Sequence, residues 1–204
     1  MSLKDTYDKI AEDWFAVHKV DSWWHEGIDK FISLVGQGGT VLDAGCGAAV
    51  KSKYLSQNGM KVTGVDFSEK MIGIAKREVP AAEFLVGDIK DLDFLNQKFD
   101  GIFAQAVLLH FPKDEISEVL NSLLSKLNPG GYIYIAVKAK RLDGPSETTI
   151  TQNDFGYEFE RFFSFFALEE IKGFVLKANL KIVYENTEDT DIDDWIQLIA
   201  QKLE

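Results

Sequence analysis

The 204-residue sequence predicts an α/β fold, a mostly parallel sheet layered between helices as a three-layer sandwich. Three observations predict it. Short apolar runs alternate with segments of helical period along most of the chain. A glycine-bearing turn, Asp43-Ala44-Gly45-Cys46-Gly47-Ala48, joins the first apolar run to the segment that follows it. Further acidic residues, Asp66 and Asp88, stand where later runs end. In such sheets ligands bind beyond the carboxyl ends of the strands, where the strand order reverses.

Residues 5–17 form an amphipathic helix, with Tyr7, Ile10, Ala11, Trp14 and Phe15 on one face, and a second helix spans about 22–34. Gly36-Gln37-Gly38-Gly39 breaks the chain before the first strand, 40–44. A helix over 49–57 leads to a second strand, 61–66, and Ser68 N-caps a helix running to about Arg77. Strands follow at 83–87 and 99–104. A helix from Lys113 to Leu127 stops at Asn128-Pro129-Gly130-Gly131, and the wholly apolar run 132–137 is a central strand. Residues 139–160 are polar and contain glycine, so a long loop is expected there. A helix at 168–178, a strand at 180–184 and a last element at 194–200, strand or helix, complete the chain. All 204 residues read as one domain, with 1–38 a helical cap and 139–166 a loop or lid on the substrate side.

Bulk properties narrow the function. The formal net charge of −11 disfavours a nucleic-acid partner. No apolar run reaches the length of a bilayer span, and no basic-then-apolar leader opens the chain, so a cytoplasmic protein without a membrane partner is expected. Cys46 is the single cysteine, and His18, His25 and His110 lack metal-ligand spacing, so no metal is expected.

Glycines at 45 and 47 let the backbone turn tightly and approach a ligand, and the helix start behind them favours an anionic group. Any strand-to-helix turn can hold two glycines, so the pattern alone leaves binding open. Asp66, about 20 residues on, adds a carboxylate able to accept both hydroxyls of a ribose. It can also cap a helix, although Ser68 is better placed to do so. A nicotinamide dinucleotide fits less well, because Val50 stands where its fingerprint wants glycine. No Gly-Lys-Ser/Thr follows a glycine-rich loop, which excludes a P-loop.

Val41-Leu42-Asp43-Ala44-Gly45-Cys46-Gly47 resembles the first motif of class I, Rossmann-like S-adenosylmethionine-dependent methyltransferases. Val65-Asp66-Phe67-Ser68 with Met71 resembles the second, Val86-Gly87-Asp88-Ile89 the third and 99–110 the fourth. Leu127-Asn128-Pro129-Gly130-Gly131 resembles the loop before strand five, and the order matches from about residue 5 to the end. Within the family, Leu108-Leu109-His110, Ala136-Val137-Lys138 and Arg161-Phe162-Phe163 resemble a bacterial and archaeal branch. Two departures from the pattern stand out. Ala49 replaces a customary third glycine, adding a methyl to the loop, and Val50-Lys51 replaces a common Arg-Asp.

The resemblance implies a seven-stranded sheet of order 3-2-1-4-5-7-6 with strand seven antiparallel, the N-terminal helices acting as a lid. It implies S-adenosylmethionine as cofactor, S-adenosylhomocysteine as product, and a small-molecule methyl acceptor. Gly45, Cys46 and Gly47 would line the methionyl group, with Asp43 near its amino group. Asp66 would hold the ribose, Phe67 and Met71 would pack on the adenine, Asp88 would accept from its amino group and Ile89 would cover it. Gln105 and Ala106 would turn carbonyls toward the amino group and sulfonium, and Tyr7 and Trp14 would cover the cofactor or simply pack the helix. His110 is the candidate catalytic base, or a histidine bonding a backbone carbonyl. Lys138 and Arg161 are candidates for an acidic substrate group, or solvated charges. Trp23, Trp24, Phe162, Phe163, Phe165 and Phe166 wall an apolar substrate pocket or fill the core. The rival expectation is a SAM-binding sensor or partner protein without catalysis. A nicotinamide-dependent oxidoreductase is the weaker rival.

Overall fold

A computed structural model describes residues 2–20, 24–189 and 194–203. Its main sheet contains β1 (Thr40–Ala44), β2 (Lys61–Asp66), β3 (Glu83–Val86), β4 (Phe99–Gln105), β5 (Leu127–Lys138), β8 (Leu180–Asp189) and β9 (Asp194–Lys202). β6 (Glu147–Gln152) and β7 (Phe159–Ser164) form a separate hairpin. The sheet order is β3-β2-β1-β4-β5-β9-β8. Once the hairpin is set apart, this is the expected order. β1 to β5 run parallel and β9 is antiparallel to both neighbours. The 194–200 segment, left open between strand and helix, is thus a strand.

Among the described residues six α-helices accompany the sheet: α1 (Leu3–His18), α2 (His25–Val35), α3 (Val50–Gln57), α4 (Glu69–Glu78), α5 (Ile116–Ser125) and α6 (Leu168–Lys177). Alternating side chains of the central strands feed two cores, as the pleat requires. Leu42, Ala44, Ile102, Ala104, Ile133 and Ile135 pack with Val119 and Leu123 of α5 and Ile171 and Val175 of α6. Val41, Phe103, Tyr134 and Ala136 pack on the other face with Ile28 and Phe31 of α2 and Leu55 of α3. Residues 133–137 of β5 are buried on both faces. That explains their unbroken apolar run, and truncating Ile135 to Ala would cost roughly 2–5 kcal/mol.

α1 is set over the sheet through α4. Ala11, with Tyr7, Trp14 and Phe15 beside it, packs against Met71 and Ile74. Ser68 caps α4, its Oγ accepting from Met71 N at 3.1 Å, as its position predicts. The expected helix from Lys113 begins as a 3-10 turn and becomes α-helical only at Ile116.

The expected loop within 139–166 requires correction, because β6 and β7 pair there over six residues each. Glu147, Thr149 and Thr151 point to solvent and Thr148, Ile150 and Gln152 are only half-buried. A strand with so little apolar contrast leaves no period-two signal, although its β-branched Thr-Thr-Ile-Thr run suits an extended chain.

Candidate functional site

β1 has β2 on one side and β4 on the other, so the chain's crossovers leave it in opposite directions at this point. A cavity of about 850 Å³ opens at the carboxyl ends of these strands. Loop geometry builds its floor. Gly45 N and Cys46 N both donate to Val65 O, at 2.8 and 3.1 Å, pinning the turn onto β2. Gly45 has φ +69°, and a Cβ there would stand 2.5 Å from Val107 Cγ2. Only glycine satisfies both constraints. Ala49, in the customary third-glycine position, adopts φ 60° and ψ 27°, left-handed backbone that a non-glycine residue enters at roughly 1–2 kcal/mol.

Asp66 ends β2 and braces this turn. Its Oδ2 accepts from Gly47 N at 2.9 Å and its Oδ1 from Ser68 N at 2.8 Å. Each carboxylate oxygen retains a lone pair for a ligand. Asp43, next to the last residue of β1, accepts at its Oδ2 from Ser52 Oγ at 2.5 Å. Burial pushes the Asp43 carboxyl up to about 7, against the Ser52 bond and the Lys51 charge. Burial likewise raises Asp66 to about 6, although its two backbone N–H bonds favour the anion. The Cys46 thiol is driven upward by burial and both carboxylates, so it is an inert neutral wall. Gln105, at the end of β4, lines the same cavity, and its Oε1 is buried with no partner among the described residues.

The roof comes from α1, the 3-10 turn Leu108–His110 and the hairpin. His110 Nδ1 lies 2.8 Å from Phe162 O, a carbonyl that can only accept, so Nδ1 carries the proton. Nε2 then accepts from Tyr7 Oη at 2.8 Å. Arg161 donates from Nη1 to the same Tyr7 oxygen at 3.3 Å and from Nε to Gln152 Oε1 at 2.8 Å. Burial first, and the Arg161 and Lys138 charges after it, lower His110 to about 3 despite the Phe162 bond. The ring is therefore neutral, with both nitrogens engaged.

The cavity gathers Tyr7, Trp14, Asp43, Gly45, Cys46, Gly47, Asp66, Phe67, Met71, Gln105, Ala106, His110, Lys138 and Arg161, all candidates from the sequence. Asp88 and Ile89 are not among its lining residues. Asp88 is exposed, its Oδ1 accepting from Lys90 N at 2.9 Å, and Ile89 is buried in the core against α5. Trp24 is a core residue beside Phe31, Phe166 belongs to the α5–α6 core, and of the four phenylalanines only Phe163 lines the cavity. Trp23 lies outside the described residues. Lys51, Gln152, Phe155 and Trp195 also line it and carried no assigned role. Trp195 sits opposite Lys138 in the β5–β9 register, a placement that follows once 194–200 is read as a strand. Among the described residues no cluster of three potential metal ligands occurs, and no helix is long and apolar enough to cross a membrane.

Residues 41–131 match a methyltransferase domain family. A ubiquinone biosynthesis O-methyltransferase of Dechloromonas aromatica is 27% identical over 144 residues, 65% of this chain and 60% of that protein. An uncharacterized methyltransferase of Synechocystis is 33% identical over 97 residues, 48% of this chain and 46% of that protein. The chain thus spans about three fifths of the length of the first relative and less than half of the second. A Burkholderia thailandensis 1,6-didemethyltoxoflavin-N1-methyltransferase superposes with a TM-score of 0.78 at 20% identity, covering 99% of this chain and 88% of that one. The [4+2]-cyclase SpnF also superposes, at a TM-score of 0.73 and 16% identity, covering 98% of this chain and 95% of that one. Fold likeness therefore does not by itself choose a reaction. The matched methyltransferase domain at 41–131 and the sheet order support the resemblance to class I, Rossmann-like S-adenosylmethionine-dependent methyltransferases.

Proposed function

We propose that this protein transfers the methyl group of S-adenosylmethionine to a small-molecule acceptor. The observation that carries the proposal is the convergence of Asp43, Asp66 and the unpartnered Gln105 Oε1 on one cavity at the β1–β4 switch point. Three buried acceptors suit a ligand rich in donors and positive charge, as an ammonium beside a ribose and a sulfonium is. The Gly45–Gly47 turn leaves room for backbone to lie along it. When bound, the cofactor supplies an electrophilic sulfonium methyl.

The chain's own residues do the rest. Asp66 accepts from the ribose hydroxyls, Asp43 and Gln105 face the amino acid end, and Phe67 and Met71 flank the base. Asp88 and Ile89 have no contact with this cavity and take no part in the proposal. His110 acts on Tyr7, holding its hydroxyl in place, and takes no proton itself. The roof restricts approach to the cavity, and orientation of the reacting groups lowers a barrier by several kcal/mol. The cavity continues past the cofactor residues to Leu109, Phe155, Phe163 and Trp195. At about 850 Å³ it lies near the top of the roughly 300–1,000 Å³ range of small-molecule sites, which leaves space for an acceptor. That space favours an enzyme over a non-catalytic sensor.

Calorimetry with S-adenosylhomocysteine tests the donor half. The wild type is expected to bind in the micromolar range. Asp66→Ala is expected to weaken binding about 30-fold or more, roughly 2 kcal/mol for lost charge-assisted bonds. Equal affinity in the variant would remove the ribose assignment.

A further inference from the structure

Ser52 stands in the first turn of α3, fully buried and outside the cavity lining. A serine hydroxyl inside a helix ordinarily returns to a carbonyl of the preceding turn or faces water. This one does neither. It reaches nine residues back to β1 and donates to Asp43 Oδ2 at 2.5 Å. Asp43 is itself only 3% exposed, and among the described residues Ser52 is the one hydrogen-bond donor to its side chain. One carboxylate oxygen is thereby held toward α3, while Oδ1 keeps its lone pairs for the cavity that Asp43 lines.

Other neighbours of Asp43 offer no such bond. Its partners on the adjacent strands are Gly64 of β2 and Phe103 of β4, neither of them ionisable. The ionisable groups around it are Lys51 of α3, whose charge favours the anion, Asp66 of β2, whose charge opposes it, and the neutral Cys46 thiol of the turn. Across the cavity stand Tyr7, His18, His110, Lys138, Asp154 and Arg161. A hydroxyl donor with no proton to lose favours a carboxylate over the neutral acid.

We propose that Ser52 is a positioning residue of the cofactor site: acting through Asp43, its hydroxyl keeps that carboxylate in the ionised form that meets the ligand's ammonium. The inference rests on the proposed methyl-transfer function and adds to its donor site a residue that touches no ligand. Burial drives the Asp43 carboxyl up to about 7 even with the Ser52 bond in place. Removing the bond therefore carries the titration above neutrality, and near pH 7 most of the protein then presents a neutral acid to the ammonium.

The experiment compares wild type with Ser52→Ala in two ways. Calorimetry with S-adenosylhomocysteine at pH 7 and pH 8.5 reads the site with ligand, and taking the ratio of the two proteins at each pH cancels the other ionisable groups. Ser52→Ala is expected to bind about fivefold more weakly than wild type at pH 7 and less than about twofold more weakly at pH 8.5. Carboxyl-carbon NMR of the ligand-free proteins should place the Asp43 midpoint roughly one pH unit higher in the variant. A loss of equal size at both pH values would mean that the serine only packs α3, and would overturn the inference, as would unchanged affinity at pH 7 or an unmoved Asp43 midpoint. These outcomes leave the donor site standing. Failure of wild type to bind S-adenosylhomocysteine would instead remove the methyl-transfer proposal, and the role of Ser52 with it. Should Ser52→Ala not fold, Ser52→Cys, whose thiol is a weaker donor, should show the same pH-dependent loss in smaller measure; a ratio independent of pH would overturn the inference.

Discussion

Asp43 and Asp66 carry an electrostatic cost of burial, which on the proposed function a bound ammonium and two hydroxyls would relieve. With carboxyls raised to about 7 and about 6, the folded protein holds protons that the unfolded chain has released above its ordinary carboxylate range. Their contribution to stability is therefore largest at low pH and is lost as pH rises through about 6–7. Donors from the ligand favour the ionised form, so binding expels protons below that window. Affinity for S-adenosylhomocysteine is expected to rise about tenfold or more between pH 5.5 and pH 8, read by calorimetry. A flat profile would mean that neither carboxylate meets the ligand. His110 behaves in the opposite sense. Lowered to about 3, it refuses a proton that the unfolded chain accepts near 6.5, so its contribution is complete above 6.5 and is lost as pH falls from 6.5 toward 3. Its imidazole signals in an NMR titration should stay constant from pH 8 to pH 5, with the proton on Nδ1; a midpoint near 6.5 would contradict the Tyr7–His110–Phe162 chain. At this scale the sequence was informative where a residue's place followed from a strand end, as for Gly45, Asp66 and Gln105. It was uninformative for Asp88 and Ile89, because the chain after β3 turns one to solvent and the other into the α5 core.

The roof is held by contacts between elements far apart in sequence. Thr6 Oγ1 of α1 donates to Glu160 O of β7 at 3.1 Å, Lys9 Nζ to Glu158 O at 3.0 Å, and Tyr157 Oη to Asp13 Oδ2 at 2.6 Å. α1 and the hairpin are thus joined in one clasp over the cavity. Thr6 is buried, so Thr6→Val keeps its shape and leaves Glu160 O without a donor, at about 1 kcal/mol. Amide exchange in β7 is then expected to accelerate about fivefold under native conditions, with global stability changing by no more than that amount. Unchanged β7 exchange would show that the clasp does not govern opening. A lid was expected from the N-terminal helices and from 139–166, but not the hydrogen bonds that join them. β6 has one apolar residue, Ile150, and the partners of the hairpin are visible only once the chain is folded. The long helices and the apolar strands were legible because burial on a defined face imposes the period that identifies them.

Across the whole molecule, the alternation of strands and helices suffices for the layered α/β architecture. The strand order does not follow from alternation. It came from the resemblance of five motifs in register, and the observed crossover between β1 and β4 gives the physical reason the first, second and fourth cluster: they lie at the carboxyl ends of β1, β2 and β4. The fold supports other chemistry, as the cyclase likeness illustrates, so the central claim is that this cavity recognises the sulfonium cofactor's product and not a dinucleotide. Thermal unfolding with either ligand tests that claim most directly. S-adenosylhomocysteine at a hundredfold its dissociation constant should add about 2.7 kcal/mol and raise the midpoint by roughly 5–10 °C, while NADH leaves it unchanged. A midpoint raised by NADH and unmoved by S-adenosylhomocysteine would contradict the assignment.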